Sequence, residues 1–250
     1  MCYNAAIMIS VTILTKNSSK TLKKTLTSAA AFPEILILDA GSTDATLEIA
    51  QGCKVYSQEF TGFGPMHNIA SGLAVHDWIL SLDSDEILSP ELVQEILSLK
   101  LDPTCVYRIR RDNYFYGKHI RCCSGWYPDR VVRLYNRLAT RFSNDQVHER
   151  ILTDGLRIVD LSSPILHTPY QSTADLIAKM QNYSTLFAEQ NRHRKKSSFF
   201  HAAWHGSYAF FKSYILKWGI LGGKEGLILS LYNGQTAFYK YLKLAELNKN

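Results

Sequence analysis

IMISVTILTKNSSKTLKKTLTSAAAFPEILILDA, residues 7–40, contains the strand–helix–strand pattern that decides the fold class. The apolar runs IMISVTILT and EILILDA each predict a buried strand. Between them Leu22 and Leu26 recur at helical spacing with lysines on the opposite face, which predicts a helix. Strands and helices continue to alternate as far as residue 99. We therefore predict an α/β fold with a mainly parallel sheet flanked by helices.

Polar residues cluster where three of the predicted strands end. The clusters are Thr15–Asn17, Asp39–Asp44 and Asp83–Glu86. Ligands of open parallel sheets bind outside the carboxyl ends of the strands, near the point where strand order reverses. We therefore expect these three clusters to converge in space although they are far apart in the sequence.

The segment SLDSDEILSP, residues 81–90, places Asp83 and Asp85 two residues apart. Side chains at this spacing on a strand point to the same side, so both carboxylates can face one ligand. Paired carboxylates suit Mg²⁺ or Mn²⁺, which in turn suit a diphosphate. The alternative is a solvated turn before a helix with Ser89 as N-cap and Pro90 at its first position. Neither interpretation gives Glu86 a role.

The segment DAGSTDAT, residues 39–46, ends the second strand with an acid and a glycine turn. The Asp39 carboxylate can accept an imide N–H, so it is a candidate contact for a nucleotide base. The serine and threonine have cap chemistry, and we expect Ser42 or Thr43 to cap the next helix.

Composition points to an ordinary globular protein of 250 residues with 46% apolar residues. The five cysteines are odd in number and show no CxxC spacing, which argues against a disulfide framework and against a structural zinc site. A reducing, cytosolic setting is expected. No run of about 18 apolar residues is present, and the N-terminal run, broken by Ser10 and Thr12, predicts a strand rather than a signal peptide.

Four motifs in order carry a resemblance to a known family: SVTILTKN, ILILDAGSTDAT, GFGPMHN and DWILSLDSDE. They resemble inverting family 2 glycosyltransferases, whose fold is the GT-A fold, a Rossmann-type α/β arrangement. GWYPDRVVRLYNR (125–137) and QVHER (146–150) are similar to the bacterial branch that adds a β-1,4-glucosyl residue to the inner core of lipopolysaccharide. The resemblance implies a GT-A-like domain, a UDP-sugar donor and Mg²⁺ or Mn²⁺.

The resemblance also implies roles for individual residues. Asp39 matches the acid that contacts uracil, and Thr15 and Asn17 match the lining of the nucleoside pocket. Asp83 and Asp85 match the acids near the ribose and on the metal–diphosphate. Two departures stand out in this chain: Ser18 replaces an acidic residue, and His67, before the donor-site residue Asn68, replaces an arginine or lysine.

Glu149 in QVHER is the candidate base. Inverting transfer needs one base to take the acceptor hydroxyl proton as that oxygen attacks the anomeric carbon. His148 beside it is a candidate metal ligand or orienting group. The alternative for Glu149 is a surface ion pair with Arg150. His167 is a secondary metal candidate, and its alternative is a packed core residue.

The stretch after residue 100 is rich in arginine and predicts the acceptor-binding half. Its GWYPD segment contains Asp129, a second candidate catalytic residue by the resemblance, and Trp126. Trp126 can stack on a sugar or on the donor, or it can be a buried structural residue. Arginine side chains bind phosphate and carboxylate groups well, although alternating arginines can also keep a sheet edge soluble.

The C-terminal segment carries the basic character of the chain. Residues 179–250 have 11 Lys/Arg against 3 Asp/Glu, and aromatic residues recur from Phe200 to Trp218 at spacings of three or four. This mixture predicts association with an anionic membrane surface, and packing of the helix on the catalytic domain is the alternative. The apolar stripe argues against nucleic acid as the partner.

Together these patterns predict three segments: a nucleotide-sugar-binding half (1–100), an acceptor-binding half with the catalytic base (101–178) and a helical C-terminal appendage (179–250). The predicted function is metal-dependent transfer of a hexose, glucose from UDP-glucose, to a lipid-linked anionic saccharide. The transfer is predicted to invert the anomeric configuration and to give a β-linkage. The predicted location is the cytoplasm, at the inner face of the bacterial cytoplasmic membrane. The alternatives are a glycosyltransferase with a polyprenyl-phosphate acceptor and a non-catalytic nucleotide- or lipid-binding module.

Overall fold

A computed structural model of the chain describes residues 8–145 and 149–249. These residues form two compact units, the first from residues 8–111 and the described part of 130–167, the second from residues 112–129 and 168–249. The strands are Ile9–Thr15 (β1), Glu34–Asp39 (β2), Lys54–Ser57 (β3), Trp78–Asp83 (β4), Glu86–Leu88 (β5), Cys105–Phe115 (β6), Lys118–His119 (β7), Arg130–Asn136 (β8) and Arg157–His167 (β9). The α-helices are Leu22–Ala29 (α1), Thr46–Ile49 (α2), Phe63–Leu73 (α3), Pro90–Ser98 (α4), Thr173–Asn191 (α5), Phe199–Phe211 (α6) and Gly223–Leu247 (α7).

The sheet has the strand order β3-β2-β1-β4-β8-β6-β9-β5, and β7 pairs with β6. Strands β3, β2, β1 and β4 are parallel, whereas β8 pairs antiparallel with both β4 and β6, and β5 pairs antiparallel with β9. β1 and β4 are buried over most of their length, as continuous apolar runs in a parallel sheet require. The predicted α/β fold with helices around a mainly parallel sheet is confirmed.

Two helix starts show how local chemistry set the boundaries in the first unit. Ser89 caps α4 as predicted, because its hydroxyl accepts from the Leu92 N–H at 3.2 Å, and Pro90 follows at the first position. The expected cap at Ser42 or Thr43 is wrong, because α2 begins only at Thr46. The Asp44 carboxylate instead accepts the Thr46 N–H at 3.0 Å.

The second unit is built mainly from α5, α6 and α7. Between α6 and α7 the chain forms a π-helical segment, Lys212–Leu216, and a short 3₁₀ turn, Gly219–Gly222. α7 begins at Gly223, directly after this turn. A side chain at Gly206 would lie 2.9 Å from Phe238 Cβ, so this glycine permits the close approach of α6 and α7.

Two further properties of the described residues bear on function. Cys53, Cys105, Cys122 and Cys123 are free thiols. In residues 8–145 and 149–249, every helix falls short, in length or in apolar character, of what a bilayer crossing requires.

Candidate functional site

The carboxyl ends of β1, β2 and β4 bring three predicted site residues to one edge of the sheet. β1 lies between the other two, with Thr15 paired to Asp39 of β2 and Leu14 paired to Asp83 of β4. The turn after β4 then places Asp85 and Glu86 just beyond this edge. The predicted convergence of the first, second and fourth strand ends is therefore present in the first unit.

Asp39 organises the loop that follows β2. Its carboxylate accepts from the Thr15 hydroxyl at 2.7 Å, from the Gly41 and Ser42 N–H groups at 3.0 and 2.8 Å, and from the Ser42 hydroxyl at 2.5 Å. Although burial raises its pKa, these hydrogen bonds hold the pKa of Asp39 below its usual value. Asp39 is only 1% exposed, and its hydrogen bonds fix the backbone conformation of the loop.

Asn17 joins the loops after β1 and β2. Its backbone has a positive φ of 51°, its side-chain oxygen accepts from the Thr43 N–H at 2.8 Å, and its own N–H donates to the Ser42 hydroxyl at 2.8 Å. Ser18, which stands in place of an acid, lies 2.9 Å from the hydroxyl of Ser84. Ser84 is thereby turned toward this loop and away from the carboxylates that flank it.

A cavity of about 510 Å³ opens beside this loop, at the ends of β1, β2 and β3. Its lining residues are Lys16, Ala40, Gly41, Ser57, Gln58, Glu59 and Phe60. Lys16 belongs to the predicted cluster Thr15–Asn17, whereas Gln58 and Phe60 were not predicted from the sequence. The signal that could have found these two residues is their position directly after strand β3.

Asp83 and Glu86 share two arginines. Arg133 contacts the carboxylates of both acids, with a distance of 2.6 Å to Glu86 Oε1. Arg111 Nη1 lies 3.0 Å from Glu86 Oε1 and 3.7 Å from Asp83 Oδ2. Glu86 is fully buried and also accepts the Asp83 N–H at 3.1 Å. The sequence patterns indicated no role for Glu86. In the structure its carboxylate holds both arginines and the backbone of Asp83.

The charges around Asp83 keep it ionised. Burial raises its pKa, but the Arg133 guanidinium, with a smaller contribution from Arg111, lowers the pKa well below the usual range of aspartate. Burial also acts on Arg133, yet the two carboxylates raise the pKa of its guanidinium above its ordinary value. The pair therefore carries full charges at neutral pH.

Asp85 faces His167, the last residue of β9. Asp85 Oδ1 lies 3.5 Å from His167 Nε2, and their side chains are 24% and 10% exposed. Residues 8–145 and 149–249 contain no group of three or more His, Cys, Asp or Glu side chains placed to hold one metal ion. The predicted ligand His148 lies outside the described residues.

Asn68 and His67 of α3 position the segment that precedes Glu149. The Asn68 side chain donates to the Phe142 carbonyl at 3.0 Å and accepts the Phe142 N–H at 2.9 Å. The His67 ring stacks on Phe142 with ring centroids 4.3 Å apart, and its Nδ1 lies 3.1 Å from the Ser81 hydroxyl. Burial lowers the pKa of His67 to about 4, so its imidazole is neutral at pH 7 in the folded protein.

Glu149 is half-buried in the first unit. Burial raises the pKa of its carboxyl above the usual value of glutamate, and the charge of Asp83 acts in the same direction. A carboxylate with raised proton affinity is suited to accept a proton near neutral pH.

Trp126 and Asp129 lie in the second unit. Trp126 is 6% exposed and packs among aromatic rings, with centroid distances of 5.9 Å to Phe115 and 5.8 Å to Tyr170. The Asn113 amide donates to the Trp126 carbonyl at 2.8 Å and to the Asp129 carboxylate at 3.0 Å. Burial of Trp126 agrees with the structural alternative, and the proposed role of Asp129 stays a prediction.

Comparison with known proteins identifies glycosyltransferases as relatives of this chain. The sequence model described as glycosyl transferase family 2 matches residues 10–161, more than half of the chain. An uncharacterized glycosyltransferase of Rickettsia felis is 26% identical over 266 residues, covering 97% of this chain and 90% of that relative. The lipopolysaccharide core biosynthesis glycosyltransferase LpsC of Rhizobium meliloti is 26% identical over 258 residues, covering 95% of this chain and 93% of LpsC.

A solved structure shares the fold. S. aureus TarS, residues 1–349, in complex with UDP aligns over 96% of this chain and 90% of that chain with a TM-score of 0.50 and 18% sequence identity. At this identity the likeness concerns the fold alone.

Proposed function

The chain belongs to glycosyl transferase family 2, and on that premise we propose that it moves glucose from UDP-glucose, with inversion to a β-linkage, onto a lipid-linked acceptor of the lipopolysaccharide inner-core type. One observation carries the proposal. Asp83 ends β4 and Asp85 follows it, at the same sheet edge as the 510 Å³ cavity at the ends of β1, β2 and β3. A nucleoside in the cavity and a diphosphate at the acids is the donor arrangement that the edge supports.

The loop held by Asp39 and Asn17 supports the donor half of the proposal. In the conformation described, all four hydrogen bonds to the Asp39 carboxylate come from Thr15 and the loop itself. We therefore propose that the Ala40 and Gly41 backbone and the Gln58 side chain, which line the cavity, recognise the base. The UDP and UDP-GlcNAc complexes of TarS, a protein of the same fold, agree with a uridine nucleotide donor.

The residues present fit a divalent cation that also takes oxygen ligands from the donor. Asp85 and His167 bring a carboxylate and an imidazole to within 3.5 Å of each other, and Asp83 and His148 complete the set that we propose. Mg²⁺ and Mn²⁺ are held by one or two carboxylates together with substrate phosphates. When bound, the ion would neutralise charge on the leaving diphosphate. Asp83 fits less well than Asp85, because its carboxylate is already paired with Arg133.

The transfer itself assigns one task to Glu149. Its carboxylate takes the proton from the acceptor hydroxyl while the acceptor oxygen forms a bond to the anomeric carbon of glucose. The bond between that carbon and the diphosphate oxygen breaks on the opposite face, and UDP leaves with the electron pair. The electrostatic influence of Asp83 on Glu149 supports a position for this base near the acidic strand end.

The acceptor class rests on the relatives. LpsC acts in lipopolysaccharide core biosynthesis and matches nearly the whole chain, which supports a lipid-linked saccharide acceptor. We place the enzyme in the cytoplasm, at the inner face of the cytoplasmic membrane, with the second unit on the membrane surface. Its basic and aromatic residues support that position.

The test is transfer of labelled glucose from UDP-glucose to an extracted core acceptor, with the anomeric configuration of the product read by NMR. The wild type is expected to give a β-linked product. Glu149→Gln is expected to lower the rate by about 10²–10⁴-fold, the usual contribution of a positioned base. The matched control is Glu48→Gln, at an exposed position of α2, which should keep the full rate. An α-linked product, or a fully active Glu149→Gln, would overturn the assignment.

A further inference from the structure

The second unit exposes large apolar side chains that a helix would ordinarily bury. In α6 the small residues Ala202 and Gly206 are buried, and Gly206 faces Phe238 of α7. The large residues point outward: Phe200 is 82% exposed and Trp204 is 70% exposed. We call the aromatic face the exposed side chains Phe199, Phe200, Trp204, Tyr208, Phe211, Ile215, Leu216, Trp218, Ile220 and Leu221. An apolar surface of this extent marks a binding surface.

A basic pocket lies at the start of α6. It has a volume of about 940 Å³ and is lined by residues 192–199, Leu242 and residues 245–249. Its cationic side chains are Arg192, Arg194, Lys195, Lys196 and Lys249. Glu246 is the one acid among the lining residues. The surplus of positive charge predicts an anionic ligand.

The basic pocket is held in shape by Asn248, near the end of the chain. Its side-chain oxygen accepts the Ser197 N–H at 2.9 Å, and its amide donates to the carbonyls of Arg192 and Lys195 at 3.0 and 3.3 Å. The Ser197 hydroxyl also donates to the Tyr241 carbonyl at 2.7 Å. The cations therefore stand on an ordered loop that is fastened to the C-terminal part of α7.

We propose that the basic pocket binds the phosphate headgroup of an anionic lipid while the aromatic face lies in the interface of the same bilayer. The two features are continuous, because Phe199 lines the pocket and begins the aromatic face. Trp, Tyr and Phe side chains flanked by lysine are typical of helices that lie in a membrane interface. The exposed Lys212 and Lys217 add positive charge beside the face. A headgroup site of this kind gives the membrane association proposed above a defined ligand.

Vesicle flotation without donor or acceptor tests this inference independently of glycosyl transfer. Vesicles of phosphatidylcholine with phosphatidylglycerol are compared with vesicles of phosphatidylcholine alone. The wild type is expected to bind the anionic vesicles more tightly, and the preference should shrink as salt is raised. Inorganic phosphate at matched ionic strength should release little protein, because it cannot occupy the aromatic face. Complete release by phosphate would overturn the lipid as ligand.

Two variants separate the contributions. Lys195→Ala/Lys196→Ala is expected to weaken binding to anionic vesicles by about 30-fold, since each basic residue near an anionic bilayer contributes a factor of about 5. Lys23→Ala/Lys24→Ala, which removes the same charge from exposed positions of α1, should have little effect. Trp204→Ser should weaken binding to both kinds of vesicle. Unchanged binding in Trp204→Ser, with a dimer that dissociates, would identify the face as a contact between copies and overturn the proposal.

Asn248→Ala distinguishes a built headgroup site from a diffuse basic patch. The variant keeps every charge but loses the three hydrogen bonds of the Asn248 side chain to the loop. We expect it to lose most of the preference for phosphatidylglycerol while its far-UV circular dichroism stays native. An unchanged preference would overturn the headgroup site. If Asn248→Ala does not fold, Ser197→Ala takes its place, because it also keeps every charge and loses only the hydrogen bond from the Ser197 hydroxyl to the Tyr241 carbonyl. A loss of the preference for phosphatidylglycerol in Ser197→Ala supports the built site, and an unchanged preference overturns it.

Discussion

Replacing Arg133 by methionine tests the charge network of Arg133 with Asp83 and Glu86. The change keeps the apolar stem of the side chain and removes the cation that contacts both Asp83 and Glu86. Glu86 is fully buried, and only 6% of the Arg133 side chain is exposed. Breaking a buried ion pair by removing one partner costs about 3–5 kcal/mol. Because Arg111 remains 3.0 Å from Glu86, we expect the lower end, a loss of about 3 kcal/mol in the free energy of unfolding.

The assay is urea denaturation at pH 7, carried out as a double-mutant cycle with Glu86→Gln. The neutral glutamine needs no cation, so Arg133→Met should cost only about 1 kcal/mol in the Glu86→Gln background, a coupling of about 2 kcal/mol. Arg108→Met is the control, since Arg108 pairs with Asp160 at 2.7 Å at the surface, where both side chains are more than a third exposed. Its cost should be a small fraction of that at Arg133.

An equal cost of Arg133→Met in both backgrounds would show that the charge of Glu86 contributes nothing to the stability that Arg133 supplies, contrary to the prediction. A cost below that of Arg108→Met would refute it as well.

Three further predictions concern the same unit. Gly64→Ala would place a Cβ 1.9 Å from the Ser143 carbonyl oxygen, so we expect the free energy of unfolding, measured by urea denaturation, to fall by about 1–3 kcal/mol. The control is Gly72→Ala, on the same helix with open space around it, which should be neutral or slightly stabilising. His67 stays neutral in the folded protein because its pKa is lowered from 6.5 to about 4, so the unfolded chain takes up its proton first as the pH falls below 6.5. The free energy of unfolding should therefore drop by about 2–3 kcal/mol between pH 7 and 4.5. Urea denaturation of His67→Gln should lack this part of the drop. Asp39→Asn replaces one acceptor oxygen by an N–H donor that faces the N–H groups of the loop. The free energy of unfolding should therefore fall by about 2 kcal/mol, and UDP binding measured by calorimetry should weaken. An unchanged affinity for UDP would show that the loop plays no part in binding.

The parallel half of the sheet was accessible from the sequence because its signals are local. Continuous apolar runs identified β1, β2 and β4, and the polar residues directly after them identified the edge where Thr15, Asp39 and Asp83 meet. The start of α4 was equally clear, since a serine cap followed by proline acts within one helical turn.

The network around Glu86 was not accessible because it depends on long-range pairing. Arg111 and Arg133 come from the antiparallel strands β6 and β8, and they follow Glu86 by 25 and 47 residues in the sequence. Strand register across such separations is set by the assembled sheet, and a single sequence shows no periodicity that reports it. Arginines that appeared only as an alternating basic run therefore proved to be partners of the acids.

In the C-terminal helices the local sequence pattern was visible, but the side of the helix that faces solvent was not. Their aromatic spacing was visible, but a stripe of large residues ordinarily faces the core. Only the packing of Ala202 and Gly206 against α7 reveals that the large residues point outward.

We propose that the sheet edge at Asp83 and Asp85 binds the diphosphate of a uridine nucleotide together with a divalent cation. Calorimetric titration of UDP into the protein, with and without Mn²⁺, measures both parts of this proposal at once. Mn²⁺ should tighten UDP binding at least about 10-fold, worth about 1.4 kcal/mol, in the wild type and in the surface control Asp154→Asn. In Asp85→Asn the metal effect should be absent. If Mn²⁺ tightens UDP binding equally in Asp85→Asn and in the wild type, the sheet edge does not hold the cation.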